Sequence, residues 1–477
     1  MSARWGGRAN SMLTLFIILL KTSTICGFEV PPVNIAALKP KGFRASIPNQ
    51  EGITLFVFQG NINRNIQSPN VGTLTGEIDE VTDNEWVYED ESVQLKVGDV
   101  IHYYVTVIHD KSGYIKDGQS FTVAELTDRS GTVSGNTGNN TPDCRPSLTT
   151  YRGGSVCSGQ VILQEDFNTL NENTWTIEHK IPINHPEYPF VSYQRSSVSV
   201  ENGRLVIRPK LQEAEPGFNR DSIESGTLNL INSGCTESTE ACQMTAFGYH
   251  ILPPVVSGRV LCRSMAFKYG VVEIRAKLPQ GDWLYPELLL EPFIHKYGND
   301  KFASGVIKVA AAAGNRNLFM GTNAQGNELL FGGAIISSEC NDTFIFQKLA
   351  TAGWGDEFHT YSLRWEPERL ILSVDGREWS RLDAGENLSS KLPPACARTL
   401  MGGRLAPFDT EFYLTLGVAA GGVITFRDDS YSSGRAKPWR NSNSKAKLHF
   451  WQDLSYWYPT WGDSSALIVE SVKVTAL

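Results

Sequence analysis

Between positions 304 and 315 the chain reads Ser-Gly-Val-Ile-Lys-Val-Ala-Ala-Ala-Ala-Gly-Asn. A bulged strand brings positions i, i+2 and i+5 onto one face, because alternation aligns the first two and one extra residue returns the third. Carboxylates on such a face, two of them roughly 5–5.5 Å apart, can attack an anomeric carbon and protonate the leaving oxygen, which is retaining glycoside hydrolysis. This stretch has no carboxylate; its one charged residue is Lys308. General acid catalysis alone is commonly worth on the order of 10²–10⁴-fold, so a strand without acids and with a cation on its floor fits binding better than turnover. Two acids upstream, Glu287 and Glu291, share one face of an extended segment, and a solvent-facing or interface role is expected of them rather than catalysis. His359 lies in a strand pattern and reads as a structural histidine.

The elements that would position such a strand are all β. Val272, Ile274, Ala276 and Leu278 alternate with Glu273, Arg275 and Lys277, and the runs 370–374 and 412–418 are further strands, so residues 160–477 read as one two-sheet jelly roll. Residues 28–126 read as a separate small immunoglobulin-like β-sandwich, from the runs 53–58, 93–97 and 100–109 and the turn signals between them. The segment 127–159 is rich in Gly, Ser, Thr and Asn and reads as a linker. No convincing amphipathic helix and no internal repeat occurs.

Arg4 and Arg8 precede an apolar run at 12–20 that is too short to span a bilayer, and Lys21 ends it; residues 1–27 read as a signal peptide. The chain has 477 residues with a formal charge of −8; without residues 1–27 it keeps 40 basic and 51 acidic side chains, a charge of −11. That balance argues against nucleic acid or anionic lipid as partner. Seven cysteines follow residue 27, and the close pairs Cys144 with Cys157 and Cys235 with Cys242 are expected disulfides, leaving an odd thiol among the rest. No Cys-x-x-Cys spacing or histidine cluster suggests a metal, and no cofactor is expected. Sequons stand at Asn139, Asn341 and Asn387.

Several motifs carry a resemblance. The stretch 269–286, Tyr-Gly-Val-Val-Glu-Ile-Arg-Ala-Lys-Leu-Pro-Gln-Gly-Asp-Trp-Leu-Tyr-Pro, resembles the lead-in of family 16 glycoside hydrolases, as do Gln-Glu-Asp-Phe-Asn at 164–168 and Trp-Tyr-Pro-Thr-Trp at 457–461. Pro-Lys-Gly-Phe-Arg-Ala-Ser-Ile-Pro at 40–48 is similar to the start of the β-1,3-glucan-binding module of arthropod recognition proteins. Together they resemble the Gram-negative-bacteria-binding protein / β-1,3-glucan recognition protein family. The resemblance places Val306 at the nucleophile position, Lys308 at the assisting-acid position and Ala311 at the acid/base position, and so implies no enzyme. It implies a glucan-binding surface with Trp86 and Tyr88, aromatic faces suiting the apolar side of a pyranose, and Tyr104 on a later strand is a further candidate; the alternative for all three is a place in the core. The chain departs from the family at Asn49, Glu91, Val105 and Leu289, where an acid, an arginine and two tryptophans are usual.

The function implied is a secreted, extracellular, non-catalytic pattern-recognition receptor that binds microbial β-1,3-glucan or other cell-wall polysaccharide, peptidoglycan and lipopolysaccharide included, and signals to a protease cascade. A peptidoglycan recognition protein or a serine protease is the expected protein partner. The alternatives are a scaffold without sugar affinity, docking through apolar residues 288–290, 306 and 310–313, and a weak glucanase using Glu287.

Overall fold

The computed structural model describes residues 28–128 and 144–477, apart from positions 29, 40, 51, 69, 71, 83, 84, 91, 92, 111, 124, 125, 152, 153 and 238. The segment 1–27 and Asn139 lie outside the described residues, as does Glu91. The chain divides into two compact units, 1–141 and 142–477.

The first unit is a sandwich of two four-stranded sheets. One sheet runs Glu85–Asp90, Phe43–Pro48, Asn34–Lys39, Thr127–Asp128, and the other Leu74–Ile78, Ile53–Ile62, Val100–His109, Ser112–Thr122. Period-two alternation fixes which residues meet between the sheets. Phe43, Ala45 and Ile47 from one sheet and Phe56, Phe58, Val105 and Val107 from the other are buried in one core.

In the second unit two large sheets face each other across a single core. The first includes the strands Phe412–Ala420, Leu284–Pro292, Val306–Ala311, Leu329–Ile335 and Phe344–Leu349 in that order; the second includes Leu467–Thr475, Gly270–Lys277, His359–Glu366 and Arg369–Val374. Leu288, Leu290, Ile307, Val309, Leu414 and Leu416 from one meet Val272, Ile274, Leu363 and Leu372 from the other. Trp365 packs at 5.4 Å from Phe412 and donates from Nε1 to the Phe408 carbonyl at 3.2 Å. The longest helix among the described residues is Ala446–Gln452, seven residues, and none is long and apolar enough to cross a membrane.

The linker expected at 127–159 is shorter than its composition suggests. Thr127–Asp128 pairs in parallel with Asn34–Lys39 in the first unit. Pro146–Tyr151 and Gly154–Cys157 form a hairpin in the large sheet, through pairing of Phe267 with Tyr151. The disulfides Cys144–Cys157 and Cys235–Cys242 form as expected, a third joins Cys340 to Cys396, and Cys262 is the buried free thiol among the described residues.

Candidate functional site

The Val306–Ala311 strand carries the expected bulge. Lys308 pairs with Gly333, but Ala311 pairs with Phe331, so three residues on one strand are spanned by two on its neighbour. Ile307, Val309 and Ala310 enter the core, while Lys308 and Ala311 both line a cleft of about 760 Å³ on the other face. The register sets the floor in rows: Leu289, Lys308, Gly333 and Ile345 form one, and Ala311, Phe331 and Gln347 the next. Asn323, Gln325, Asn341, Asp342 and Arg427 stand around it. Among the described residues no carboxylate comes within ion-pair distance of Lys308, and Asp342 is the one acid that lines the cleft.

Glu287 is buried and Glu291 nearly so, both turned onto a shared cation within the unit, which corrects the expectation of a solvent-facing role. Gly417 lies between Glu287 and Arg259 in one cross-strand row. It has no side chain, so the two charged groups reach over it: a Cβ there would stand 2.7 Å from Glu287 Oε2 and 3.0 Å from Arg259 Cγ. The buried Arg259 guanidinium is shared by three carboxylates, Glu291 at 2.7 Å, Glu178 at 2.9 Å and Glu287 at 3.4 Å. Tyr193 donates to Glu287 at 2.8 Å, Thr415 to Glu291 at 2.6 Å, and Lys180 sits 2.6 Å from Glu178.

Burial pushes both glutamates upward, but the balance differs. Arg259 and the Thr415 hydroxyl outweigh burial at Glu291 and hold it at about 2. At Glu287 burial prevails over Arg259 and Tyr193, and its pKa is raised. Neither residue lines the cleft. Nothing in the sequence near Glu287 signals Arg259 or Glu178, because both are remote along the chain, Arg259 on the strand Arg259–Leu261 and Glu178 just beyond the short strand Thr176–Ile177.

In the first unit Trp86 and Tyr104 are not available as sugar platforms. Trp86 pairs with Ile47 and Tyr88 with Ala45, which puts both rings on the core face of their sheet. Trp86 is 4 % exposed and donates from Nε1 to Asn49 Oδ1 at 3.0 Å. Tyr88 is half-buried against Phe43 and Phe58. Tyr104 is on the outer face, yet the loop through Asn70 covers it; it is 6 % exposed and its hydroxyl donates to the Asn70 carbonyl at 2.9 Å. Alternation shows which residues share a face and is silent on which face is inside.

The apolar docking patch is likewise absent. Leu288, Leu289, Leu290, Val306 and Ala310–Ala313 are all buried, none more than 8 % exposed. His359 pairs through Nδ1 with Asp375 at 2.7 Å at a strand end, in keeping with a structural role. Of the sequon asparagines, Asn341 stands at the cleft rim and Asn387 caps a short 3-10 helix by accepting from the Ser389 amide.

Residues 29–142 match a family model, CBM39, described as a carbohydrate binding domain (family 32). The chain is 51% identical over 464 residues to a beta-1,3-glucan-binding protein of Hyphantria cunea, covering 94% of this chain and 96% of that one. It is 33% identical to beta-1,3-glucan-binding protein 2 of Manduca sexta, covering 94% and 95% of the two chains. It is also 33% identical to Gram-negative bacteria-binding protein 1 of Drosophila melanogaster, covering 96% and 98%. Among solved structures, the catalytic domain of an endo-1,3-beta-glucanase (laminarinase) from Thermotoga petrophila RKU-1 matches at 18% identity with a TM-score of 0.42, over 66% of this chain and 97% of that one. On these full-length similarities, the chain belongs to the family of β-1,3-glucan-binding and Gram-negative bacteria-binding proteins.

Proposed function

We propose that this chain is a secreted, non-catalytic recognition protein of innate immunity that binds microbial β-1,3-glucan or related cell-wall polysaccharide and passes the signal to a protease cascade. The observation that carries the reading is the match of residues 29–142 to a carbohydrate binding domain, set within relatives named for glucan binding along nearly their whole length. Glucan binding is assigned to that unit. Tyr88, half-buried, is the one residue of the expected aromatic trio that keeps partial access there.

Absence of hydrolysis is part of the same proposal. The bulged strand offers Val306, Lys308 and Ala311 where a retaining site needs acids, and Glu287 and Glu291 are tied to Arg259 outside the cleft. The test is pull-down of the full chain on insoluble curdlan, together with a reducing-end assay on laminarin across acidic to neutral pH. Retention on curdlan without sugar release is expected. Release above a mock purification, abolished by Glu287→Gln, would overturn the non-catalytic assignment.

A scaffold without sugar affinity is the second reading, favoured by the burial of Trp86 and Tyr104. Failure to bind curdlan, combined with capture of a recognition protein or protease from body fluid, would select it. N-glycans at Asn341 and Asn387 are proposed for the secreted form, to be read by mass spectrometry before and after glycosidase treatment.

A further inference from the structure

The cleft of the second unit combines features that neither a hydrolase site nor a structural core requires. Its floor holds a half-buried lysine with no carboxylate in ion-pair distance among the described residues. The neighbouring row supplies Phe331, a half-buried ring that lines the cleft. Arg427 adds a second cation at the wall, although Asp429 stands 3.9 Å from it. Asp342 is the opposing charge, exposed at the rim. A cationic floor in a chain of net charge −8 is a local reversal, and ligands of opposite sign gain from it.

We propose that this cleft binds a sugar bearing a carboxylate, with the anion on Lys308 and a ring face on Phe331. A compact ammonium on a flexible stem meets a carboxylate as a point charge. An aromatic face suits the apolar side of a pyranose. The amides of Asn323, Gln325 and Gln347, all in the lining, can answer ring hydroxyls. A volume of about 760 Å³ falls within the range of built ligand sites. Carboxylate sugars reach such a cleft from two sources, uronic acids of a polysaccharide and the lactyl ether of muramic acid, and both present the same group to Lys308. The lining residues all belong to the second unit, whereas curdlan retention is assigned to residues 29–142.

The experiment is titration calorimetry of the full chain with three probes: an oligogalacturonate, a muramic-acid-containing disaccharide and a neutral laminarin oligosaccharide. At least one acidic probe is expected to bind and to weaken as salt rises, and Lys308→Met is expected to weaken it at least tenfold while leaving curdlan retention intact. Which acidic probe binds identifies the source. If neither acidic probe binds at millimolar concentration, if the variant binds it as tightly as the parent, or if the neutral probe shows the same loss in the variant, the proposal falls. A second measurement needs no variant: an acidic probe at saturation should protect Lys308 from amine acylation, read by mass spectrometry, and unchanged labelling would equally overturn the proposal.

Discussion

One sheet of the second unit carries two charged regions on the same face, and they have opposite characters. Around Arg259, Glu178, Glu287 and Glu291 crowd a single guanidinium in a largely buried site. On the strand next to the one that carries Glu287 and Glu291, paired with Leu289 between them, Lys308 stands on the floor of an open cleft with no acid committed to it among the described residues. The first region has carboxylates without access, and the second has access without carboxylates. Hydrolysis needs both at one place, so counting acids along a strand is a poor guide to activity unless their cations are counted too. The contrast also separates structural from ligand-facing charge: a buried carboxylate is stabilised by a fixed partner, whereas an unpaired cation at a cleft floor is stabilised by water until a ligand replaces it.

The largest expected effect comes from removing the shared cation. Arg259→Met leaves three carboxylates buried around an apolar side chain, and breaking a buried pair in this way costs about 3–5 kcal/mol. Loss of secretion, or a comparably lowered unfolding midpoint of the second unit in denaturant, is the outcome to look for. A variant as stable as the parent would show that the network is not what closes this end of the sheet.

Acid should unlock the same region. Glu291 is held at about 2, below its usual 4.5, so it contributes stability that is complete above pH 4.5 and is lost as pH falls toward 2. A shift of that size corresponds to roughly 3–4 kcal/mol. Glu178, also lowered, acts in the same direction. Glu287, whose pKa is raised, acts in the opposite one, its contribution being greatest below 4.5 and lost as pH rises through its folded value. The stability of Glu291→Gln should therefore fall less between pH 4.5 and 2 than that of the parent, as measured by denaturant titration at each pH.

A smaller change probes the close approach across Gly417. A methyl group there would meet Glu287 Oε2 at 2.7 Å, with Arg259 Cγ on its other side. Overpacking of this kind costs about 1–3 kcal/mol. Gly417→Ala should lower the melting temperature of the second unit, and Glu287→Gln in the same background should not restore it, because the carboxamide is as large as the carboxylate.

Much of this was legible in the sequence, and the failures have a common cause. The resemblance to family 16 glycoside hydrolases supplied the frame for the bulged strand and its empty acid positions within 304–315, and the register shows the bulge there. The two disulfides with short separations, 13 and 7 residues, were readable, whereas Cys340–Cys396, 56 residues apart, was not. Trp86 and Tyr88 share a face as expected, but the side of the sheet that is covered depends on the second sheet, which no local pattern encodes. The expectation for Glu287 and Glu291 fails for the same reason: their partner Arg259 comes from another strand, and a glutamate next to apolar residues looks exposed until its cation is known.

The smallest effect on stability is expected at Lys308, and it tests the other side of the comparison. Lys308 is half-buried, its ammonium has no ion pair among the described residues, and its neighbour across the strand is a glycine. Lys308→Met keeps the length of the stem and its contact with the floor, and it leaves no buried partner behind. Substitutions with no such partner usually fall within about 0.5 kcal/mol of the parent. The melting temperature should accordingly stay within about 2 °C, as that energy converts for a unit of this size. A loss of 2 kcal/mol or more would mean that the lysine is structurally committed in the way Arg259 is, and the contrast between a locked and an open charge on one sheet face would collapse.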